Sequence, residues 1–354
     1  MKKLILFFVL LSTCVYGVAQ EKTQCLFLVM ADGWRCNEVF SGASDSILAN
    51  APDVVKQQFI AGTPEERRKA LMPFIWTEIE SKGQIYGNRA YGNKVNLTNP
   101  YHFSYPGYNE IITGYGDPKV NSNDKIDNPN VNVFEILNNT PQFKNKVAVF
   151  GSWDLFPWIF NVKRSHLPVN AGFARAEGTN LSMNEKLLNK LQFQIPRQFN
   201  GVRYDAFTNE YARDYIEREK PRVVFISYGE MDDIAHTGDY AAYLQAGNRF
   251  DLYLKQLWEY INKDPFYKNR TTLIVTTDHG RGGDDKTWTG HSNTLKGSDQ
   301  TWIAVIGPDT PVRGEVKQAE QHYSNQIAKT IAKFLNVSYT PEKGCGEAIP
   351  EFFK

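Results

Sequence analysis

The chain has 354 residues, enough for one large domain or two smaller ones, with ample apolar and aromatic content for a core. Its formal net charge is +1, from 40 basic and 39 acidic residues, without a concentrated basic run. Nucleic-acid binding requires a concentrated basic face, so these values argue against a nucleic-acid partner.

The N-terminus is typical of an export signal. Lys2 and Lys3 precede a short apolar run over residues 4–11, and Ala19 ends a small-residue cleavage pattern. We therefore predict a signal peptide over 1–19 and export to the periplasm or the medium. The apolar run is far shorter than the roughly 20 residues that cross a bilayer, and no later segment reaches that length, so we expect no membrane span.

The cysteines give few constraints. Cys14 offers lipidation within the leader as a less favoured alternative, and Cys25 lies in an apolar run as an inert thiol. Cys36 and Cys345 could form a disulfide in an oxidising compartment, but their pairing cannot be read from the sequence. Because the cysteines have no zinc-finger spacing, oxygen and nitrogen ligands must hold any metal.

Apolar, β-branched runs alternate with helical patterns along the chain. The predicted strands lie at 26–30, 146–150, 223–228, 273–277 and 302–306. The predicted helices lie at 64–82, opened by the capping-box sequence Thr63-Pro64-Glu65-Glu66, and at 208–220, 239–261 and 324–335. Continuous apolar runs suit strands that are buried on both faces. The pattern predicts one α/β domain over 20–354, with a doubly wound, mostly parallel central sheet and helices on both faces.

Segment 153–202 interrupts this alternation. It contains Pro157, Pro168 and Pro196 and has weak periodicity. We interpret it as an insertion over the sheet edge, either a cap above a substrate site or a long solvent-exposed connection.

Residues of metal-ligand type follow three of the predicted strands. They are Asp32, Asp232, His236, Asp278, His279 and, one short loop later, His291. The carboxyl ends of strands in an open α/β sheet share one edge, where ligands bind. Carboxylates and imidazoles brought together at that edge have the composition of a two-metal site.

Each local pair is weak by itself, but the set is not. Asp232 and His236 are four residues apart and share a face if a helical turn begins at Asp232. Asp278 and His279 are adjacent, so they reach one metal only if the chain leaves the strand there, which Gly280 permits. The ligand-type residues fall into four short clusters, and four in one chain favour a metal-dependent hydrolase over a chance arrangement. The clusters are Asp32, Asp232 with His236, Asp278 with His279, and His291.

Ser104 is the candidate nucleophile. A serine hydroxyl is weak at its own pKa and needs a base or a metal for activation. The sequence has no Gly-x-Ser-x-Gly elbow and no local triad spacing, so activation by a metal fits better. A serine before Tyr-Pro is, by itself, most often a turn residue.

Five short motifs stand together in a recognisable order. They are Ala31-Asp32-Gly33, Ser104-Tyr105-Pro106, Met231-Asp232 through His236, Thr277-Asp278-His279-Gly280-Arg281 and Trp288-Thr289-Gly290-His291. With these motifs, residues 24–306 resemble the alkaline phosphatase superfamily, particularly its nucleotide pyrophosphatase/phosphodiesterase branch. Asp-His-Gly-Arg followed by Trp-Thr-x-His is the most specific part of the resemblance.

The resemblance implies two divalent metal ions, most simply zinc, with manganese or magnesium as alternatives. One ion would be held by Asp232, His236 and His291. The other would be held by Asp32, Asp278 and His279, with Ser104 as its reactive ligand. The implied reaction is hydrolysis of a small phosphoric monoester or diester through a phosphoseryl intermediate on Ser104.

The nucleophile motif departs from the branch, which usually has Thr-x-Pro-Asn-His. Gly107 and Tyr108 stand where asparagine and histidine are expected, and the arginine that follows the serine in the phosphatase branch is absent. The candidate substrate ligands are Asn109, Asn88, Arg281 and Tyr105.

Two other functions stay open. Sulfatases of the same superfamily modify a cysteine or serine within a C/S-x-P-x-R motif, and Tyr108 stands where that arginine is required. A non-catalytic ligand-binding protein could use the same metal-containing scaffold, although the complete set of ligand residues favours an enzyme.

Overall fold

A computed structural model describes residues 22–60 and 62–354. The predicted signal peptide and Cys14 lie outside these residues, so export and lipidation stay predictions. Within the described residues, no helix combines the length and the hydropathy that crossing a membrane requires.

In the part of the chain that the structure describes, the strands form two sheets. In chain order they are β1 Cys25–Ala31, β2 Gln84–Tyr86, β3 Lys94–Asn96, β4 Val147–Gly151, β5 Val169–Ala171, β6 Val223–Tyr228, β7 Thr271–Thr276, β8 Gln300–Thr301, β9 Ile303–Ile306, β10 Gly314–Glu315 and β11 Gln321–Tyr323. The central sheet has the order β10-β2-β9-β7-β1-β6-β4-β5, and the small sheet has the order β11-β3-β8.

Helices cover both faces of the central sheet. They are α1 Cys36–Ser41, α2 Asp53–Phe59, α3 Pro64–Leu71, α4 Glu80–Lys82, α5 Ser104–Thr113, α6 Val133–Asn139, α7 Phe156–Ile159, α8 Val162–Ser165, α9 Met183–Leu191, α10 Asp205–Glu219, α11 Glu230–Thr237, α12 Tyr240–Lys263 and α13 Ile327–Phe334. Short 3₁₀ or π turns lie at Ile47–Asn50, Ile75–Ile79, Arg89–Tyr91, Ser324–Gln326 and Pro350–Phe352.

The middle of the sheet is parallel and buried on both sides. Strands β7, β1, β6, β4 and β5 run in the same direction, while β9 is antiparallel to both of its neighbours. Phe27 and Val29 of β1 pack into one core, and Leu26 and Leu28 pack into the other. A strand covered on both faces needs a continuous apolar run. The predicted doubly wound, mostly parallel fold is confirmed.

This topology brings the ligand-bearing segments together. Met30 of β1 is in register with Ser227 of β6 on one side and with Thr276 of β7 on the other. The three strands therefore end at one edge, and the residues that follow them share that edge.

The predicted helix at 64–82 begins as expected but is interrupted. Thr63 Oγ1 accepts the N–H of Glu66 at 3.2 Å, and Glu66 Oε2 accepts the N–H of Thr63 at 2.7 Å, so the capping box is formed. Helix α3 ends at Leu71. Pro73, which lacks an N–H and clashes with the preceding turn, accounts for the break.

Segment 153–202 contributes one strand to the central sheet. Its first half forms α7, α8 and β5, and β5 pairs with β4 as the edge strand of the central sheet. A strand of three residues is too short to give a periodic pattern, so the sequence did not predict it. The ends of the segment meet, because Trp153 and Val202 form an isolated antiparallel bridge. The bounds of the insertion and its role as a cap stay predictions.

The three described cysteines are free thiols. Cys36 is buried, with its Sγ 3.1 Å from the carbonyl oxygen of Thr301. Cys345 packs beside Gly114 at the end of α5. The structure therefore does not pair Cys36 with Cys345.

Asp251 of α12 is expected to make stability depend on pH. Its buried carboxylate accepts the N–H groups of Phe74 and Ile75 at 2.7 and 3.0 Å, and burial raises its pKa from 3.8 to about 7. A pKa raised by folding adds stability at low pH that is lost as the pH rises through the raised value. Because asparagine can accept only one of the two N–H groups, we expect Asp251→Asn to be less stable than the wild type near about pH 4 and to recover on the order of 2 kcal/mol relative to it towards about pH 8.

Thermal unfolding of both proteins across this pH range measures the difference. Asp53→Asn, at the exposed start of α2, is the matched control and should follow the wild type. A difference in stability between Asp251→Asn and the wild type that stays the same at every pH would contradict this explanation.

Candidate metal centre

Two groups of ligand-type side chains lie beyond the strand ends. The inner cluster comprises Asp32, Asp278 and His279, which are all buried, and the outer cluster comprises Asp232, His236 and His291, which are less buried. In each cluster the ligand atoms lie within 4.8 Å of one another. The structure thus brings the six sequence-predicted ligand residues to one sheet edge.

Each inner carboxylate uses one oxygen within the protein and leaves the other unpartnered. Asp32 Oδ2 accepts the hydroxyl of Tyr108 at 2.8 Å, and Asp278 Oδ1 accepts the N–H of Gly33 at 3.0 Å. Asp32 Oδ1 and Asp278 Oδ2 are buried and have no hydrogen-bond partner. Buried acceptors are nearly always satisfied, so these two oxygens have the character of cation ligands.

His279 presents a ring nitrogen to the same point. Its Nδ1 lies 2.8 Å from the carbonyl oxygen of Gly280, so Nδ1 donates there and Nε2 is left with a free lone pair. Nε2 lies 3.5 Å from Asp32 Oδ1 and 3.4 Å from Asp278 Oδ2. Ser104 Oγ lies 3.3 Å from this nitrogen, which puts the candidate nucleophile at the edge of the inner cluster.

The outer cluster is built by α11 and the loop after β7. His236 is one helical turn after Asp232, and its Nε2 lies 3.2 Å from Asp232 Oδ2. His291 Nε2 lies 3.1 Å from His236 Nε2. His291 Nδ1 is 3.3 Å from the carbonyl oxygen of His102, a contact that orients the ring. The two imidazoles and the carboxylate converge as cation ligands do.

Arg281 contacts the outer cluster from inside the protein. Its Nη1 donates to Asp232 Oδ1, and its Nη2 lies 3.2 Å from His236 Nδ1. Nε donates to the carbonyl oxygen of Trp288 at 2.9 Å, and Nη2 donates to that of Thr289. Burial disfavours the ionised form of Asp232, but the Arg281 guanidinium holds the pKa of that carboxyl well below its usual range. A role for Arg281 in substrate binding stays a prediction.

The electrostatics of the clusters suit a divalent cation. Burial raises the pKa values of Asp32 and Asp278 well above the ordinary value, and the charge of Asp232 raises both further. Burial lowers the pKa of His279 well below its usual value and that of His291 to about 4. Crowded carboxylates and neutral imidazoles are the ligands that a divalent metal takes up, so the residues fit a metal site.

Two glycines permit the close approach of these elements. A Cβ on Gly33, where φ is +61°, would lie 2.5 Å from Asp232 Oδ1. A Cβ on Gly107 would lie 2.2 Å from the carbonyl oxygen of Asp278. A side chain at either position would displace a ligand residue, which explains why Gly107 stands in the nucleophile motif.

Tyr108 is an orienting residue that the sequence reasoning missed. It lies one helical turn after Ser104 in α5 and donates to Asp32, with its hydroxyl also 2.6 Å from Ser227 Oγ. The spacing of four residues from Ser104 was the available signal, because it places both on one helix face.

Arg35 is a second residue that the sequence reasoning missed. Its Nη1 donates to the carbonyl oxygen of Gly282 at 2.9 Å, and its guanidinium pairs with the buried carboxylate of Glu38. It thereby ties the loop after β1 to the glycine-rich loop that carries the ligands. No sequence signal could reveal this contact, because its partners are 247 positions apart.

The three remaining candidate substrate ligands have partners within the protein. Asn109 is buried, and its Oδ1 accepts from two other asparagine side chains. Asn88 Nδ2 donates to the Glu315 carboxylate at 2.6 Å, and the Tyr105 hydroxyl donates to the carbonyl oxygen of Ile126 at 2.7 Å. These contacts explain each residue structurally, and their roles in substrate binding stay predictions.

Residues 199–339 match a family model described as "Metalloenzyme superfamily". This segment includes the whole outer cluster together with Asp278 and His279. No curated protein sequence matches the chain.

Wild-type alkaline phosphatase PafA aligns with 94% of this chain and 99% of its own, with a TM-score of 0.62 and 11% identity. The chain has the alkaline phosphatase fold. The phosphonate monoester hydrolase of Agrobacterium radiobacter aligns with 93% of this chain and 77% of its own, with a TM-score of 0.55 and 14% identity. The 2-O GAG sulfatase BT1596 aligns with 93% of this chain and 73% of its own, with a TM-score of 0.53 and 11% identity.

These alignments confirm the resemblance at the level of the fold, and the family model matches the segment that carries five of the six candidate metal ligands. They span a phosphatase, a phosphonate ester hydrolase and a sulfatase, so the alkaline phosphatase fold does not by itself select a substrate. Placement in the phosphodiesterase branch stays a prediction.

Tyr108→Phe removes the hydrogen bond that orients Asp32 and keeps the ring that fills the core. We expect the affinity of the inner cluster for zinc to fall by about 10- to 100-fold, with the fold retained. Calorimetric titration of the metal-free protein with zinc measures this change.

Tyr105→Phe is the matched control, because it removes a hydroxyl from the same helix that donates to backbone carbonyls instead. It should leave zinc affinity unchanged. Equal affinities for Tyr108→Phe and Tyr105→Phe would rule out the orienting role of Tyr108.

Proposed function

We propose that this chain is an exported, two-metal hydrolase of small phosphoric esters with Ser104 as its nucleophile. The observation that carries the proposal is the position of Ser104 Oγ, 3.3 Å from His279 Nε2, the nitrogen that lies within 3.5 Å of both unpartnered carboxylate oxygens. The likeness in fold to a phosphatase and a phosphonate monoester hydrolase supports ester hydrolysis.

The surroundings of Ser104 favour a negatively charged nucleophile. Ser104 is the first residue of α5 and is buried. The N–H groups and the dipole at a helix N-terminus stabilise negative charge there. Attack by Oγ forms an O–P bond and breaks the bond to the leaving oxygen, which departs with its electron pair. Water then hydrolyses the phosphoseryl group and restores the Ser104 hydroxyl.

The protein's part in this reaction is to fix the ligands. When bound, divalent cations would neutralise charge on the transferred group and favour the ionised serine. The mixed carboxylate and imidazole sets suit zinc, with manganese or magnesium as alternatives. Tyr108 orients Asp32, the Gly33 N–H orients Asp278, and the His102 carbonyl group orients His291.

Phosphate is favoured over sulfate by the residue at position 108. The sulfatase motif needs an arginine there, but Tyr108 is buried and its hydroxyl is committed to Asp32 and Ser227. Sulfate-ester hydrolysis is the alternative that the likeness to a 2-O GAG sulfatase keeps open. A non-catalytic binding protein is less well supported, because a binding scaffold has no need of Ser104 beside the clusters.

Ser104→Ala removes the attacking oxygen and leaves the six ligand residues in place. We expect turnover to fall by several orders of magnitude while both metals stay bound. The measurement combines metal analysis with hydrolysis of p-nitrophenyl phosphate, bis-p-nitrophenyl phosphate and p-nitrophenyl sulfate. In the wild type, acid quenching during turnover should leave a phosphoryl group on the peptide that contains Ser104.

Ser165→Ala is the matched control, because Ser165 is another buried serine at a helix end. It should keep wild-type turnover. Undiminished turnover in Ser104→Ala would remove the covalent mechanism, and cleavage of the sulfate ester alone would replace the phosphatase proposal with the sulfatase alternative.

A further inference from the structure

The two clusters differ in the charge they leave uncompensated. The inner cluster has two carboxylates, and each keeps one buried oxygen without a hydrogen-bond partner. The outer cluster has a single carboxylate, from Asp232, and that carboxylate is already paired with Arg281. Once the carboxylates are ionised, as metal binding requires, the two inner carboxylates carry two negative charges, whereas the single outer carboxylate is offset by the guanidinium of Arg281.

Arg281 is a fixed charge rather than a mobile one. Its side chain has no exposed surface, and two backbone carbonyl groups, of Trp288 and Thr289, hold the guanidinium. These carbonyl groups belong to the loop that leads to His291, so the loop that positions the outer ligand also holds the arginine. A guanidinium does not deprotonate in proteins, so it cannot relieve the repulsion of a nearby metal by losing its charge.

The guanidinium also limits how Asp232 can bind a metal. Nη1 contacts Oδ1 of the carboxylate, while Oδ2 lies 3.2 Å from His236 Nε2. Oδ2 accepts no hydrogen bond from the guanidinium, while Oδ1 shares its lone pairs between Arg281 and a position 3.6 Å from His291 Nε2. The cation would be held by one carboxylate and two imidazoles. The positive guanidinium of Arg281 contacts two of these three ligands, Asp232 and His236.

We propose that Arg281 is a positioning residue that makes the two metal sites unequal, so that the inner cluster fills first and the outer cluster binds its metal more weakly. The inference rests on the metal assignment of the proposed function. Ionised carboxylates that are buried without a partner have a large free-energy cost, which a cation in the inner cluster relieves. Arg281 already neutralises the carboxylate of Asp232. A cation in the outer cluster therefore gains less free energy of binding and is repelled by the positive guanidinium.

Zinc titration of the metal-free protein, by calorimetry and by equilibrium dialysis with metal analysis, tests the inference. For the wild type we expect two binding events that differ at least about tenfold in affinity. His236→Gln should remove the weaker event and Asp278→Asn the tighter one, which assigns each event to a cluster.

Arg281→Met removes the charge and keeps much of the side-chain volume. We expect it to tighten the weaker event by about tenfold or more and to change the tighter event less, because the guanidinium contacts two outer ligands and acts on the inner cluster only at a distance. Arg281→Lys keeps a positive charge and should keep most of the difference. Arg281→Gln replaces the methionine variant if that one does not fold. Arg203→Met removes another buried arginine, which contacts Thr208 and Asn170, and is the matched control that should titrate like the wild type.

Two equal sites in the wild type, or an outer site that Arg281→Met leaves unchanged or weakens, would overturn the inference. Because the readout is metal binding, the outcome is separate from that of the proposed function. An enzyme with equal sites refutes only the inference, and a protein with unequal sites that hydrolyses none of the test esters refutes only the function.

Discussion

The buried negative charge of the inner cluster is the constraint on which the rest of the site depends. Asp32 and Asp278 follow adjacent strands, and each has one carboxylate oxygen without a protein partner. An uncompensated buried charge costs several kcal/mol, so these strand ends require added positive charge or a proton. His279 adds a neutral ring nitrogen at the same point, which completes a ligand set for a divalent cation.

The architecture around this charge brings its members close and keeps them oriented. Strand β1 lies between β6 and β7, so the residues that follow all three strands meet at one edge. Gly107 lets α5 approach Asp278 closely enough to place Ser104 beside His279. Arg35 then fixes the loop after β1 to the loop after His279. Rigid support of this kind keeps ligand geometry within the narrow range that catalysis needs.

The sequence predicted the parts of this arrangement that depend on local pattern. The central strands are continuous apolar runs, so their positions and the ligand residues just after them could be read directly. Strand β5 and the partners of Asn109 could not, because a three-residue strand has no periodicity and the asparagine contacts form only in the folded chain. Arg281 illustrates the same limit, since its motif was visible but its contact with Asp232 spans 49 positions.

Anomalous diffraction from crystals of the zinc-loaded protein, recorded on both sides of the zinc absorption edge, tests the metal assignment most directly. Two peaks are expected, one bounded by Asp32, Asp278 and His279 and the other by Asp232, His236 and His291. The absence of a peak in the inner cluster, with zinc bound elsewhere or not at all, would contradict the assignment.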